Sequence, residues 1–161
     1  MTNNSQKFIF SLSTWQHLRI PFSFYLMPVF CFACCIQPDF ALWRMLVAFV
    51  AIHLFLYPAS NGYNSYYDKD EESIGGVERP LPVSKELWQA SLLFDLLSIG
   101  LGAVLGWQFA LALIVYGLVS KAYSHPWVRL KKTSQQHLSI PFHYVTTVVS
   151  FDIGVVALFS V

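Results

Sequence analysis

Five apolar stretches, each of about the length that crosses a lipid bilayer as a helix, dominate this chain of 161 residues. One helical crossing needs about 20 consecutive apolar residues. Because the bilayer core offers no water to satisfy peptide groups, such stretches fold as helices. The sequence therefore predicts an all-α integral membrane protein with about five transmembrane helices, placed at residues 20–36, 40–57, 87–105, 107–123 and from 140 onward.

The composition agrees with a membrane protein and excludes one common class of partner. Hydrophobic residues make up 55% of the chain and charged residues 12%, whereas a soluble domain has about 25% charged residues. The formal net charge is only +1. A nucleic-acid-binding surface needs a concentration of Lys and Arg to neutralise phosphates. We therefore expect the lipid bilayer, and no nucleic acid, among the partners of this chain.

The basic residues predict how the chain is oriented in the membrane. If the N-terminus lies in the cytoplasm, all of the Lys and Arg residues except Arg44 fall at cytoplasmic helix ends or loops. This asymmetry satisfies the positive-inside rule. We therefore expect a multi-pass protein of the cell inner membrane, with the hydrophilic loops 69–84 and 125–138, and any site formed from them, facing the cytoplasm.

A polar stripe continues the second apolar stretch towards the cytoplasm, and the helix is expected to continue through this stripe to Asp68. On a helix with about 100° between successive residues, Asn61, Asn64, Asp68 and Glu72 fall within an arc of about 80°. Asp70 falls on the opposite side of the same wheel. Amide and carboxylate oxygens on one face are ligands that suit Mg²⁺. The stripe therefore predicts a Mg²⁺ site, although the charged run 69–72 is also typical of a solvated helix end.

Further polar residues lie within the apolar stretches. His53 and Tyr57 continue the stripe into the membrane, and His53 by itself is expected to be a hydrogen-bonded packing residue. Asp95 and Asp152 lie roughly 15–18 Å inside their predicted helices. A carboxylate at that depth normally faces a cavity or a partner. We expect Asp95 to approach Ser98 or a neighbouring helix.

Four elements, in order along the chain, resemble the UbiA superfamily of intramembrane prenyltransferases. The stripe resembles the first acidic motif of that family, with Asn64, Asp68 and Glu72 at the matching positions. The chain departs from the motif at Ser65, where Asp is common, and at Glu72, where the shorter Asp is common. The other elements are Leu18-Arg19-Ile20-Pro21, Glu78-Arg79-Pro80-Leu81-Pro82 and Tyr123-Ser124-His125-Pro126-Trp127-Val128-Arg129-Leu130-Lys131.

The resemblance also implies an architecture larger than this sequence. Members of the superfamily are nine-helix bundles that carry a second acidic motif in their later half. No DxxxD or DxxxE pattern occurs after residue 90 of this chain. We therefore expect residues 1–161 to be the N-terminal portion of a UbiA-like domain, truncated or half-size, and incomplete as an enzyme by themselves.

The resemblance implies Mg²⁺-dependent transfer of a polyprenyl group from an allylic diphosphate to an aromatic or lipid-precursor acceptor. Asn64, Asp68 and Glu72 would be the catalytic residues that hold the Mg²⁺. Two other functions stay open: an inactive half-size membrane protein that pairs with a second half, and a small transporter with a path lined by the stripe. The residues with an implied substrate-binding role are Asn61, Arg79, Tyr123, Arg129 and Lys131.

Overall fold

A computed structural model of the protein describes residues 10–36, 41–69, 73–74 and 77–126. Regular structure in these residues is helical, apart from one isolated antiparallel bridge between Ile74 and Val77. The predicted all-α class is therefore confirmed. The helices are α1 (Leu12–Leu18), α2 (Ile20–Ser23), α3 (Met27–Ile36), α4 (Leu42–Phe49), α5 (Tyr57–Asp68), α6 (Leu87–Leu105) and α7 (Trp107–Ser124).

Three helical runs within the described residues are long and apolar enough to cross a membrane. They are Leu12–Cys35, Leu42–Asp68 and α6. The second and third predicted helices are confirmed, whereas the first helical run begins at Leu12 rather than near residue 20. The fourth predicted segment also forms a helix, α7, which has 18 residues. The predicted fifth helix lies outside the described residues.

The first helical run bends at Arg19, between α1 and α2. Arg19 has φ 48° and ψ 44°, a left-handed conformation that residues other than glycine seldom adopt. Pro21 lies in the first turn of α2, where a helix needs no amide donor. The Arg19 side chain is held from outside the run, because its Nη2 donates a hydrogen bond of 2.6 Å to Ser65 Oγ on α5. The bend therefore involves a contact between distant parts of the chain.

The run Leu42–Asp68 is one long helix whose middle is wound more loosely than its ends. Val50–Leu56 forms a π-helix between α4 and α5. Pro58 is the second residue of α5, and proline cannot donate the hydrogen bond expected of an α-helical residue. Ser98 of α6 donates a hydrogen bond of 2.8 Å to the carbonyl oxygen of Ala51 within the π-helix. The missing proline donor is a physical reason for the wider turn.

α6 and α7 form a helical hairpin with Gly106 as its single connecting residue. Gly106 has φ 149° and ψ 156°, a region that is essentially restricted to glycine. A residue with a Cβ would be strained there, so glycine is what allows so short a connection. Gly102 of α6 lies so close to α7 that an added Cβ would collide with the Leu113 side chain. The two helices are therefore packed closely and in antiparallel register.

Two small clusters of buried side chains hold the helices together. Many large apolar side chains outside these clusters are exposed, among them Trp107 at 71% and Leu96 at 67%. An extended apolar exterior of this kind suits contact with lipid. The first cluster, between the long helix and the hairpin, contains Ala48, Ala51, Leu56, Leu105, Phe109, Leu113 and Tyr116. The second, between α1, α5 and α6, contains Leu18, Ala59, Leu87 and Phe94.

α1 is attached to the loop that precedes α6. His17 Nε2 lies 2.9 Å from the carbonyl oxygen of Leu81. Ser13 Oγ donates a hydrogen bond of 2.6 Å to the carbonyl oxygen of Pro82. Both carbonyl groups belong to a loop with two prolines, whose ring nitrogens cannot donate hydrogen bonds. The loop therefore obtains its hydrogen-bond partners from α1 rather than from a strand or helix of its own.

The carboxylate of Glu86 ties the first turn of α1 to the start of α6. Glu86 Oε1 accepts hydrogen bonds from the Ser11 amide at 2.6 Å and from the Thr14 hydroxyl at 2.8 Å. The hydrogen bonds from Ser11, together with that from Thr14, lower the pKa of the Glu86 carboxyl below its ordinary value. Hydrogen bonds to a carboxylate have this effect because they stabilise its charged form.

This attachment is expected to make the stability of the protein depend on acidic pH. The lowered pKa means that Glu86 stabilises the fold at pH values above its unfolded pKa of about 4.3. That contribution is lost as the pH falls through the lower pKa of the folded state. We expect thermal unfolding in detergent to show a steeper loss of stability below about pH 4.3 for the wild type than for Glu86→Gln. Equal slopes would contradict this role of Glu86.

Candidate functional site

The final turns of α5 carry the first three residues of the predicted polar stripe. Asn61, Asn64 and Asp68 are separated by three and four residues within the helix, so they lie on one helix face. Asn61 and Asn64 are half-buried, and Asp68 is exposed at the end of the helix. Two amide groups and one carboxylate are therefore presented together where the long helix ends.

The end of α5 limits the described helix face to the residues up to Asp68. α5 ends at Asp68, and Lys69 adopts a left-handed conformation with φ 51° and ψ 50°. The Lys69 amide donates a hydrogen bond of 2.9 Å to the carbonyl oxygen of Ser65, which closes the helix. A right-handed helix does not continue through such a residue. The described helix therefore stops before Asp70 and Glu72, and the predicted placement of these two residues stays a prediction because both lie outside the described part of the chain.

The end of α7 packs against the end of α5. Ser124 Oγ donates a hydrogen bond of 3.0 Å to Asn64 Oδ1. The rings of Tyr67 and His125 also lie together, with 5.2 Å between their centroids. Tyr123, which precedes Ser124, is half-buried in the last turn of α7. Two separate contacts therefore hold the end of α5 beside the end of α7.

A buried ion pair lies between α6 and α7, next to this region. Lys121 Nζ contacts Asp95 Oδ2, and the two side chains are only 18% and 10% exposed. The Lys121 Nζ also lies 5.5 Å from the centroid of the Tyr63 ring, a favourable distance for a cation–π interaction. The prediction that Asp95 approaches Ser98 or a neighbouring helix is confirmed for the neighbouring helix. Ser98 donates instead to the carbonyl oxygen of Ala51.

This ion pair was not predicted from the sequence, because Lys121 was considered only as one of the basic residues that indicate membrane topology. Asp95 and Gly117 are each eleven residues from Gly106, so they face each other across the antiparallel hairpin. Helical Cα–Cβ bonds point towards the N-terminus of their helix. The long side chain of Lys121, one turn beyond Gly117, therefore reaches back to Asp95. Counting the register from Gly106 would have found the pair.

His53 has the structural role that was predicted for it. It is fully buried, and its Nδ1 lies 2.9 Å from the carbonyl oxygen of Ser23. Aromatic rings surround it, with centroid distances of 4.8 Å to Phe49 and 5.3 Å to Tyr57. The prediction that His53 is a hydrogen-bonded packing residue is therefore confirmed.

Of the remaining predicted site residues, the described ranges include only Arg79. Arg79 is exposed in the loop before α6, and its predicted role stays a prediction. The predicted roles of Glu72, Arg129 and Lys131 stay predictions, because these residues lie outside the described ranges, as does Asp152.

The polar face of α5 can be compared with the needs of a metal ion. Among the described residues, no three His, Cys, Asp or Glu side chains are grouped closely enough to hold a metal. The predicted ligand set is of a different kind, because Asn64 supplies an amide oxygen and Glu72 lies beyond the described helix. Asn64 and Asp68 are hard oxygen donors one helical turn apart, which suits Mg²⁺ with additional ligands from water or substrate phosphates.

Comparison with known families agrees with this reading of the residues. The profile of the UbiA prenyltransferase family matches residues 25–157. The chain belongs to the UbiA prenyltransferase family. No significant match to a curated protein or to a solved structure is found. Family membership favours a prenyltransferase over a small transporter, and the three apolar helical runs agree with a membrane protein.

In this UbiA family protein, elements that are far apart in the sequence meet around α5. Arg19 of the first family-like element donates its hydrogen bond to Ser65. Ser124 of the last family-like element donates to Asn64. Ser65 stands at the position where the resemblance leads us to expect Asp, and it is fully buried. Its hydroxyl therefore stabilises the bend at Arg19.

The hydrogen bond from Ser124 predicts a measurable effect on Mg²⁺ binding. Ser124→Ala leaves the Asn64 amide without the donor that orients it, and a neutral hydrogen bond contributes about 1 kcal/mol. We expect Mg²⁺-dependent binding of inorganic pyrophosphate to weaken by about three- to tenfold, measured by calorimetry. Ser120→Ala, one turn deeper on α7, is the matched control and is expected to bind as the wild type does. Equal losses in the two variants would contradict the role of Ser124.

Proposed function

We propose that this chain takes part in Mg²⁺-dependent transfer of a polyprenyl group from an allylic diphosphate to an aromatic or lipid-precursor acceptor. Membership of the UbiA prenyltransferase family supports the reaction class. The observation that carries the proposal is the hydrogen bond from Ser124 to Asn64. It brings the acidic helix end and the end of α7 together, as a shared diphosphate site would require.

The proposed metal ligands are Asn64, Asp68 and Glu72. Asn64 is oriented by Ser124, and Asp68 is exposed at the last residue of α5, where an incoming diphosphate can reach it. Glu72 follows within four residues of Asp68 in the sequence. These residues would hold Mg²⁺, which would supply charge neutralisation and Lewis-acid chemistry for the diphosphate.

Other residues of the chain are proposed to bind the substrate around this site. Arg79, Arg129 and Lys131 would contact diphosphate oxygens, and arginine can do so with two parallel hydrogen bonds. Asn61 and Tyr123 are half-buried on the two helices that meet at Asn64, so both are proposed to position the donor.

Aromatic side chains line the interior next to the polar face. The rings of Tyr57 on α5 and Tyr116 on α7 lie 5.8 Å apart. Tyr63 packs against Tyr67 with 5.0 Å between the ring centroids. When the C–O bond of an allylic diphosphate breaks, its electron pair leaves with the diphosphate and an allylic cation remains. Aromatic faces stabilise cations by about 0.5–2 kcal/mol, so these rings are proposed to shield that cation from water until the acceptor attacks.

Binding of a donor analogue tests the proposed function. The protein, purified in lipid nanodiscs, is titrated with an allylic thiolodiphosphate in the presence and absence of Mg²⁺. Binding is measured rather than turnover, because residues 61–72 of this chain contain all of the proposed metal ligands. We expect saturable binding that requires Mg²⁺. Binding that is unchanged when Mg²⁺ is removed would contradict the proposal.

We also propose that the site faces the cytoplasm from the inner membrane. The proposal rests on the distribution of Lys and Arg. Ser73, which is exposed just after the end of α5, and Ser134 are replaced singly with cysteine in a background without the three native cysteines. A membrane-impermeant thiol reagent is expected to label both positions only from the cytoplasmic side. Labelling from opposite sides would contradict the proposed topology.

A further inference from the structure

We propose that Lys121 binds the diphosphate of the prenyl donor and that Asp95 is the anion that occupies this lysine until the donor arrives. The proposal rests on the proposed function and adds two residues to its site. Neither residue belongs to the predicted metal ligands or to the predicted substrate-binding residues. Asp95 is a positioning residue in this proposal, because it acts through Lys121.

The position of Lys121 in the hairpin places its charge beside the polar face of α5. Lys121 and Ser124 are three residues apart on α7 and share one helix face. Ser124 contacts Asn64, whereas the Lys121 ammonium lies over the ring of Tyr63, the residue before Asn64. The ammonium lies beside Gly117, seven residues before Ser124, so it is about two helical turns, roughly 10 Å, deeper than the hydrogen bond at Asn64. The Lys121 backbone is only about one turn from Ser124, so a four-carbon stem that reverses its direction carries the ammonium towards Asn64.

The surroundings of Asp95 indicate that its contact with Lys121 can be exchanged. Asp95 is 7% exposed, and apart from Lys121 neither carboxylate oxygen has a hydrogen-bond partner among the described residues. A permanently buried ion pair normally needs further hydrogen bonds to offset the loss of hydration. Gly117 lies directly beside the pair, because an added Cβ there would be in ordinary van der Waals contact at 3.5 Å from Asp95 Oδ1 and 3.7 Å from the Lys121 Nζ.

The two charges therefore suit an exchange of anions. In the free protein the Asp95 carboxylate neutralises the lysine, whose charge would otherwise be unpaired between closely packed helices. A diphosphate carries several negative charges and competes for the ammonium group through charge-assisted hydrogen bonds. Asp95 competes with the donor for Lys121, so removing the charge of Asp95 is expected to strengthen diphosphate binding. Removing the charge of Lys121 is expected to weaken diphosphate binding.

Calorimetric titration of Mg²⁺ and inorganic pyrophosphate into the full chain in zwitterionic nanodiscs tests the exchange. We expect Lys121→Met to weaken binding about tenfold or more, as for loss of a charge-assisted hydrogen bond. Asp95→Asn is expected to strengthen binding several-fold. The double variant Asp95→Asn/Lys121→Met leaves no unpaired charge, so it is expected to fold, and to bind as weakly as Lys121→Met.

The outcomes separate this proposal from a purely structural ion pair and from the proposed function. If the folded double variant binds pyrophosphate as tightly as the wild type, or if Asp95→Asn weakens binding in a folded protein, the proposal is overturned. The proposed function stands in that case, provided that binding still requires Mg²⁺ and Asp68. If the wild type shows no Mg²⁺-dependent binding, both fail. A further titration uses nanodiscs that contain anionic lipid. If this lipid competes with pyrophosphate, a lipid headgroup is the anion that binds Lys121, and the assignment to the prenyl donor is overturned.

Discussion

Replacing Asp68 with alanine is expected to abolish Mg²⁺-dependent binding of an allylic thiolodiphosphate. Asp68 is the only described carboxylate on the polar face of α5, and the loss of a metal ligand removes several kcal/mol of charge stabilisation. We expect the affinity in nanodiscs to fall by about a hundredfold or more. Catalytic release of diphosphate, measured wherever the wild type shows it, is expected to fall in parallel.

Asp70→Ala is the charge-matched control for this variant. Asp70 lies two residues after Asp68, beyond the end of α5, and is not among the proposed ligands. We expect its affinity for the donor analogue to stay within about threefold of the wild type. If Asp68→Ala and Asp70→Ala weaken binding of the donor analogue equally, binding depends on the total negative charge of the segment. That result would contradict a site on one helix face. Glu72→Asp is expected to retain binding, because it keeps the carboxylate.

Replacing Gly62 with alanine is expected to separate α5 from α6 and to destabilise the protein. A Cβ at this position would lie 2.6 Å from Ser91 Oγ, 3.1 Å from the Leu18 side chain and 3.2 Å from the Leu87 side chain. Overpacking of this kind costs about 1–3 kcal/mol. The shift also displaces Asn64, two residues further along α5, so weaker Mg²⁺-dependent binding is expected together with the loss of stability. Unfolding by a graded series of denaturing detergent measures the first effect.

Two further variants test the physical cause. Gly100→Ala is the matched control, because nothing lies within 4 Å of the added Cβ. We expect it to be neutral or slightly stabilising, since alanine favours a helix over glycine by up to about 1 kcal/mol. Ser91→Ala removes the closest atom in the path of the Gly62→Ala methyl group. The double variant Gly62→Ala/Ser91→Ala is therefore expected to regain part of the lost stability, and a purely additive loss would contradict a steric origin.

The sequence by itself determined which segments become helices and what kind of solvent surrounds them. The third apolar stretch was predicted at residues 87–105 and forms the helix Leu87–Leu105. Such agreement is possible because hydrophobic length and the need to satisfy peptide groups in lipid are local properties. The spacing of Asn61, Asn64 and Asp68 belongs to the same category, since a helix face is defined by residues within a few turns.

Local patterns did not determine how α5 ends, although its end at Asp68 agrees with the predicted extent of the helix. The helical wheel also placed Glu72, four residues beyond that end, on the face of Asn64 and Asp68. Lys69 nevertheless adopts the left-handed conformation that closes the helix. Sequence signals for a helix end rely largely on glycine, so a left-handed lysine leaves no clear signal.

Only the tertiary structure decided which side chains meet. Arg19 and Ser65 are 46 residues apart, Ser124 and Asn64 are 60 residues apart, and Asp95 meets Lys121 across the α6–α7 hairpin. Each contact depends on the rotation, register and crossing of two packed helices, which are set by how their surfaces interlock. Local sequence patterns identified Asn64 and Asp95 as unusual polar residues, but their partners follow from packing between helices, which a single segment does not encode.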